Sequence, residues 1–341
     1  MPTPDGKIRW GISSTGWLSE ERMMPAIQRS ELGVLGGLVS RRPDHARAVA
    51  DRFGIPKVYP DMAAMLADPQ IDAVYNALPT GQHVPVVLQA VAAGKPILCE
   101  KPLGMDAEDI RPLLNLPAGH PQVMEAFMVR HHPQWAYLQD LVTKGDLGKL
   151  RCVQTSFCYF NDDPGSGTNR VDDGGGALLF VGCYTVLAGR LLFGRTPERA
   201  LMQGTIDPRF GTDTDISGIL DFGAGQVLNF YCSTHAAWNQ HLRLIGDRKW
   251  VHVDIPYNTP ETDPTWLEVD ASGSRNKDRV ERVEFPACDH YAAEADAFAR
   301  AVLDGAPAPY SIADAAENMR VIRALQISMA QSRWIPLTEV S

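Results

Sequence analysis

Over its first third the chain alternates short apolar runs with helical stripes, a pattern that few folds accept. Ile8, Trp10 and Ile12 alternate within residues 7–12, which predicts a strand, and residues 34–40 form a second short apolar run. Ala46, Val49, Ala50 and Phe53 then recur at helical spacing, with Gly54 as a stop signal. Asp61 is placed to cap a short helix carrying Met62, Met65 and Leu66. Residues 71–78 read as one apolar strand interrupted only by Asp72 and Asn76. Val84, Val87, Leu88 and Val91 make another helical stripe, closed by Gly94, and residues 96–99 are the next strand. Strand and helix in turn imply βαβ units, and near-unbroken apolar strands imply a parallel sheet covered on both faces.

After about residue 125 the pattern changes. Val153, Thr155, Phe157 and Tyr159 alternate, as do Ile216, Gly218, Leu220 and Phe222, and Val227, Asn229 and Tyr231. Trp250, His252 and Asp254 alternate with Val251, Val253 and Ile255. Strands without helices between them predict a mostly antiparallel sheet with one open face. A strong helix is expected over 176–193. Two more close the chain, one carrying Tyr291, Ala295, Phe298 and Val302 and ending at Asp304-Gly305. The other starts at the capping pattern Ser311-x-x-Asp314 and carries Met319, Ile322 and Met329.

The 341 residues suffice for about two domains. The charge sum, 32 − 41 = −9, is acidic and shows no basic stripe, which argues against nucleic acid or an anionic membrane as partner. It leaves room for a local pocket for one phosphate. No apolar run approaches the roughly 20 residues that span a bilayer, and the first residues lack a signal pattern. Cys99, Cys152, Cys158, Cys183, Cys232 and Cys288 are scattered, with no C-x-x-C, and the nine histidines show no ligand spacing. A cytoplasmic protein with reduced thiols and no metal is the expectation. No G-x-S-x-G elbow or paired-carboxylate signal is present.

The first strand runs into Gly11-Ile12-Ser13-Ser14-Thr15-Gly16-Trp17-Leu18-Ser19. A dinucleotide fingerprint G-x-G-x-x-G falls here on Ser14, Gly16 and Ser19, so two of its three glycines are serines. Gly16 still allows backbone to approach a pyrophosphate, Ser19 is small enough for close packing, and the following helix end supplies a positive dipole. Alone, the stretch is equally a tight Gly/Ser turn. The second strand ends in Ser40-Arg41-Arg42, where an acid for a ribose 2′-hydroxyl would otherwise stand. A hydroxyl and two guanidiniums there read as a 2′-phosphate pocket, hence NADP, or else as a solvated basic turn.

The strand at 96–99 runs into Glu100-Lys101-Pro102. In open α/β sheets the ligand lies beyond the carboxyl ends of the strands, so Lys101 is expected in the cofactor crevice, where it can orient a hydroxyl; a surface ion pair is the other reading. In the expected helix, Phe180 and Tyr184 stand one turn apart. A tyrosine near a lysine can serve as general acid and base, whereas an isolated helical tyrosine is more simply core packing.

These segments resemble the Gfo/Idh/MocA oxidoreductases. The likeness is carried by Glu100-Lys101-Pro102 after Ala93-Gly94-Lys95, with Asp72-Ala73-Val74-Tyr75 and Leu78-Pro79-Thr80 upstream. It is carried too by the stretch from Gly174 to Tyr184 and by Glu125-Ala126-Phe127-Met128-Val129-Arg130-His131-His132-Pro133. The resemblance spans residues 8–337. It implies an NADP-binding Rossmann domain at 1–125 and an α/β domain at 126–341, whose large open, mostly antiparallel sheet makes a homodimer or homotetramer. It also implies nicotinamide chemistry on a sugar. The chain is most similar to the branch of NADP-dependent aldose (D-xylose) dehydrogenases, dimeric dihydrodiol dehydrogenases and glucose–fructose oxidoreductase, which has tyrosine where inositol dehydrogenases have histidine.

Lys101 and Tyr184 are then the expected catalytic pair, meeting across the nicotinamide. The expected cofactor-binding residues are Ser14, Thr15, Gly16, Trp17, Leu18, Ser40, Arg41, Arg42, Leu78, Pro79, His83, Glu100 and Lys101. Arg130, His132, Asn161, Arg170, Phe180 and Tyr184 are expected toward the substrate. His83 reads equally as packing at a helix start, and Arg130 reads first as an interdomain salt bridge. Most relatives carry an aspartate where this chain has Phe180, so either Lys101 and Tyr184 suffice, or Asp173 substitutes, or activity is reduced. The expected function is NADP-dependent oxidation of a cyclic sugar to a lactone, or the reverse. The alternatives are an aldose–aldose oxidoreductase with tightly held NADP and a non-catalytic NADP sensor.

Overall fold

The computed structural model describes Thr3, residues 5–270, Ser272 and residues 279–340. They form two compact units. Residues 1–104, 109–131 and 289–316 make the first; 105–108, 132–288 and 317–341 make the second.

The first unit is built on six strands: β1 (Ile8–Ile12), β2 (Gly33–Val39), β3 (Val58–Tyr59), β4 (Ala73–Asn76), β5 (Ile97–Glu100) and β6 (Val123–Ala126). All pair in parallel, in the order β3-β2-β1-β4-β5-β6. The order reverses between β1 and β4, which opens a crevice at their carboxyl ends. β4, β5 and β6 are buried at every residue, as unbroken apolar strands require. The helices α1 (Met24–Arg29), α2 (Pro43–Phe53), α3 (Met62–Ala67) and α4 (His83–Ala92) belong to this unit, with the short α5 (Arg111–Leu114). Gly54 ends α2 in the left-handed region at φ 66°, and Asp61 caps α3 by accepting the Ala64 N–H at 2.8 Å.

The strand expected over 71–78 is shorter, because the Ala77 N–H turns to the Ser13 hydroxyl at 2.9 Å and leaves the ladder. Close packing on this sheet rests on glycine. A Cβ on Gly11 would stand 2.8 Å from the Met65 sulfur, and one on Gly37 would run into the buried Tyr59 ring.

The second unit carries nine strands: β7 (Leu150–Phe160), β8 (Arg199–Ile206), β9 (Asp213–Asp221), β10 (Val227–Ser233), β11 (His235–Gly246), β12 (Trp250–Val253), β13 (Thr265–Asp270), β14 (Val280–Phe285) and β15 (Ile335–Pro336). Their order is β14-β13-β12-β11-β7-β10-β9-β8-β15, antiparallel except for β7 beside β10. Val153, Leu228, Leu242, Leu244 and Leu220 are buried on one face, while the opposite face keeps Tyr231 and Trp266 exposed. Helices α6 (Pro133–Thr143) and α7 (Cys183–Phe193) belong to this unit. A π-turn, Leu178–Gly182, precedes α7, so the helix expected over 176–193 is not uniform. Gly182 and Gly189 let it approach Ile216 and Phe222 closely.

Two expectations change. The chain does not divide at a single point near 125. Helix α8 (His290–Asp304) packs with the first unit, setting Phe298 5.8 Å from Trp10 and pairing Asp289 with Arg29. The final helix, α9 (Ile312–Gln331), crosses the dividing line after Ala316. The stretch Val171–Phe193 does have the length and hydropathy to cross a membrane, contrary to the sequence reading, and 78% of its most apolar window is buried in the protein. That burial accounts for its composition. All six cysteines are free thiols.

Gly37→Ala should lower the free energy of unfolding by about 2 kcal/mol, since the new methyl must displace Tyr59 from a filled core. Urea denaturation measures this, and an unchanged midpoint would contradict the packing described.

Candidate active site

In the first unit, the loop after β1 is sewn to the exit of β4. The Ser13 N–H donates to the Tyr75 carbonyl at 3.1 Å, and the Ser14 hydroxyl donates to the Ala77 carbonyl at 3.1 Å. Ser14 and Ser19 hydroxyls lie 3.2 Å apart, so the two serines that replace fingerprint glycines bond each other. Ser19 is fully buried, while Gly16 and Trp17 are exposed. A Cβ on Gly16 would meet only the Ser14 hydroxyl, at 3.6 Å, so protein packing does not demand this glycine. The space beside the backbone there is open. Leu18 precedes a π-turn, Ser19–Met23, which runs into α1, so the expected helix start is wider than an α-turn. The exposed Trp17 ring has the Arg22 guanidinium 5.2 Å from its centroid.

Thr15, Ser40 and Arg42 converge. Thr15 and Ser40 hydroxyls are 2.7 Å apart, and Arg42 Nη2 donates to the Thr15 carbonyl at 2.9 Å and its hydroxyl at 3.3 Å. The Arg42 N–H adds a 3.2 Å bond to Ser40 Oγ. Arg41 beside them is exposed. Hydroxyls and guanidiniums are a donor set for a phosphate monoester, and the end of β2 carries no carboxylate. The residues therefore fit an NAD(P)-type dinucleotide, with open backbone at Gly16 and hydrogen-bond donors at Ser40, Arg41 and Arg42.

His83, at the start of α4, is buried, and both ring nitrogens meet carbonyls: Nδ1 at 2.8 Å from Pro102 O and Nε2 at 2.7 Å from Leu78 O. It thus ties together the loops leaving β4 and β5 and is enclosed by them. Burial pushes its basicity down against the pull of the two carbonyls, and the Lys101 ammonium adds to the downward push. Glu100 ends β5 in full burial. Tyr75 donates to its Oε1 at 2.8 Å, and the Lys101 N–H reaches its Oε2 at 3.2 Å. Burial raises the Glu100 carboxyl, and Lys101 partly offsets this.

Two neighbouring carboxylates carry no assigned role in the sequence. Glu125 on β6 accepts the Leu103 N–H at 2.8 Å. Glu294 on α8 is fully buried, with neither oxygen hydrogen-bonded among the described residues. Burial raises its carboxyl strongly; Glu100 and Glu125 push the same way, against Arg130. Arg130 itself pairs with Asp314 and lies 4.1 Å over the Tyr310 ring, inside the first unit. The expectation of an interdomain salt bridge is corrected accordingly.

In the second unit, Tyr184 lies in α7 at 6% exposure. Its ring centroid is 5.4 Å from that of Phe157 and 5.5 Å from that of Tyr257. Asp213 on β9 accepts the Leu178 N–H at 2.7 Å and so caps the start of this helical stretch. A Cβ on Gly176, at φ 113°, would clash with the same carboxylate. The loop before it is organised internally. Asn161 donates to Ser166 Oγ at 3.1 Å and accepts from the Asp163 N–H, and Arg170 pairs with Asp173 at 3.2 Å. Asp173 therefore neutralises Arg170. His132 caps α6, its Nδ1 accepting from the Gln134 N–H at 3.3 Å. Burial holds both His131 and His132 down to about 4, with Arg130 adding to the effect on His131. Among the described residues no group of side chains is arranged for a metal.

Residues 8–127 match the model of the oxidoreductase family with an NAD-binding Rossmann fold, and residues 135–252 match the GFO/IDH/MocA C-terminal domain. The chain is 33% identical to D-xylose 1-dehydrogenase (NADP(+)) 2 of Haloferax volcanii, over 93% of this chain and 96% of that one. It superposes on a 3-ketoreductase from Actinomadura kijaniata, solved with NADP and TDP-benzene, with TM-score 0.85 and 27% identity over 94% and 98% of the two chains. Against an aldose–aldose oxidoreductase from Caulobacter crescentus solved with glycerol, the TM-score is 0.87 at 25% identity over 97% and 99%.

Glu294 binds its proton more tightly folded than unfolded. Its contribution to stability is therefore largest below the ordinary carboxylate range and falls as pH rises through it. Glu294→Gln should flatten the loss of stability between pH 5 and 8 by up to about 1.4 kcal/mol per pH unit. Denaturant titrations across that range test this; parallel pH profiles for both proteins would contradict it.

Proposed function

The chain belongs to the GFO/IDH/MocA oxidoreductase family, and on that premise we propose that it oxidises a ring hydroxyl of a cyclic sugar with NADP. The coarser statement, an NAD(P)-binding oxidoreductase related to enzymes of sugar substrates, follows from the family itself. The preference for the phosphorylated cofactor is carried by one observation, the convergence of Thr15, Ser40 and Arg42 where no carboxylate competes.

When bound, the nicotinamide supplies the hydride acceptor, or the donor in the reverse direction. Tyr184 takes the proton from the hydroxyl oxygen as the carbonyl forms, most simply at C1 to give a lactone. Lys101 donates a hydrogen bond to that oxygen and stabilises the charge that gathers on it. Glu100, fixed by Tyr75, holds the backbone from which Lys101 departs. The same groups return the proton when a carbonyl is reduced. The open face of the nine-stranded sheet, with Tyr231 and Trp266 exposed, is the surface assigned to a second copy in a homodimer or homotetramer.

A second reading has NADP held through a cycle between two aldoses, and the likeness to the Caulobacter crescentus enzyme supports it. Cofactor that remains bound through purification would favour this cycle; exchangeable cofactor favours the dehydrogenase. Silence toward a panel of sugars, with NADP still bound, would favour a sensor instead.

Lys101→Ala and Tyr184→Phe should each cut kcat by about a hundredfold or more while NADP affinity, read by fluorescence titration, stays within twofold. Near wild-type turnover in either variant would overturn the assignment. Arg42→Ala should weaken NADP binding by about tenfold and NAD binding little, the loss of a charge-assisted bond to phosphate. Equal weakening of both would remove the 2′-phosphate reading.

A further inference from the structure

Carboxyls from three elements gather inside the first unit: Glu100 of β5, Glu125 of β6 and Glu294 of α8, at 7%, 5% and 1% exposure. Register explains why Glu294 shares a face with Glu100. Trp10 and Ile12 point the same way from β1, and Ile12 pairs with Tyr75, which donates to Glu100 Oε1 at 2.8 Å. Phe298 of α8 packs on Trp10, and Glu294 lies one helical turn before Phe298. Helix α8 therefore lays Glu294 on the side of the sheet that carries Tyr75 and Glu100.

Two of the three carboxyls are already at work. Glu100 accepts the Lys101 N–H at 3.2 Å and Glu125 accepts the Leu103 N–H at 2.8 Å, so the pair grips the backbone on both sides of Pro102. Charged acceptors make the stronger bonds. Glu294 has neither oxygen hydrogen-bonded among the described residues. Arg130 faces the cluster but is paired with Asp314, and Lys101 offsets Glu100. Burial raises the phenols of Tyr75 and Tyr310, to which Tyr291 and Glu294 contribute, and keeps His131 neutral. Where α8 meets α1, Asp289 pairs with Arg29 and Asp296 accepts from the Ser30 hydroxyl. On the π-turn, Glu20 and Glu21 pair with His45 and Arg52, and Arg22 lies against Trp17. A third carboxylate without donors in this dry interior costs far more than a neutral acid.

Resting on the reading of Lys101 as the group that hydrogen-bonds the reacting oxygen, we infer that Glu294 holds the one proton of this carboxyl cluster and is a positioning residue for Lys101. By staying neutral it lets Glu100 and Glu125 remain charged acceptors for the amides of Lys101 and Leu103. As pH rises and Glu294 ionises, a third negative charge enters the cluster, the carboxylates repel, and the strand end that presents Lys101 loosens.

The test needs no turnover. Infrared spectra of protein labelled with 13C-glutamate should show the carbonyl stretch of a protonated carboxyl at neutral pH, and Glu294→Gln should remove it. Amide exchange at Lys101 and Leu103, followed by NMR and corrected for the intrinsic rate, should quicken by about tenfold in the wild type as that band titrates away. In Glu294→Gln the protection should persist over the same pH range. Glu100→Gln should move the titration of the band to lower pH, because one repelling charge is gone; this arm decides the matter if Glu294→Gln does not fold. Identical spectra for wild type and Glu294→Gln overturn the inference. So does a lost band with unchanged pH dependence of exchange, or a titration that Glu100→Gln leaves in place. Near wild-type turnover in Lys101→Ala would instead remove the catalytic reading and leave these spectra as they are.

Discussion

One buried imidazole holds the two loops that leave the middle of the parallel sheet. His83 faces the carbonyls of Leu78 and Pro102, and Lys101 is the residue just before the second of these. A neutral ring has a single N–H, so it satisfies one carbonyl by donation, while burial opposes the cation that would satisfy both. The strand exits are thus fixed by a group whose protonation is itself contested. The rest of the cofactor half follows from this anchoring. The Ser13 and Ser14 hydroxyls bind the exit of β4, and the Glu100 carboxylate binds the Lys101 backbone. Each replaces regular strand pairing at the point where the chain must stop being a strand and become a binding surface.

The second unit solves a different problem. Its sheet buries one face under a helical stretch whose start is irregular, with a π-turn and a glycine at φ 113°. Asp213 meets the exposed N–H groups there from another strand. An aspartate at that distance in sequence does what a local cap would do elsewhere. Aromatic packing then takes over. Phe157 and Tyr257 form a stacked pair that packs tilted against the Tyr184 ring, with the polar end of Tyr257 tied off.

Carboxylates mark the boundary between what was readable and what was not. Glu100 stands in a short motif at a strand end and was legible. Glu294 lies in a helix whose sequence shows only an amphipathic stripe, and its importance comes from burial beside Glu100 and Glu125. Arg130 lies just past the expected domain boundary, which is why an interdomain ion pair is its first reading from sequence. Its partner Asp314 packs with the first unit because α8 and the start of α9 return there. Asp173, named as a substitute carboxylate, is occupied by Arg170 three residues away.

Local pattern along the chain is enough to specify the parallel sheet, the antiparallel one, the caps at Asp61 and Gly54, and the donor-rich turn Ser40–Arg42 and the Glu100-Lys101 strand end. All of these are local, because strand alternation, helical stripes, left-handed glycines and short motifs depend on neighbours within a few residues. Packing sets the return of α8 to the first unit, the distant cap from Asp213, the burial of Glu294 with neither oxygen hydrogen-bonded among the described residues, and the outward turn of Trp238. These depend on which surfaces meet after the chain has folded. Burial, and the low dielectric that comes with it, is a property of the packed whole that no run of adjacent residues encodes.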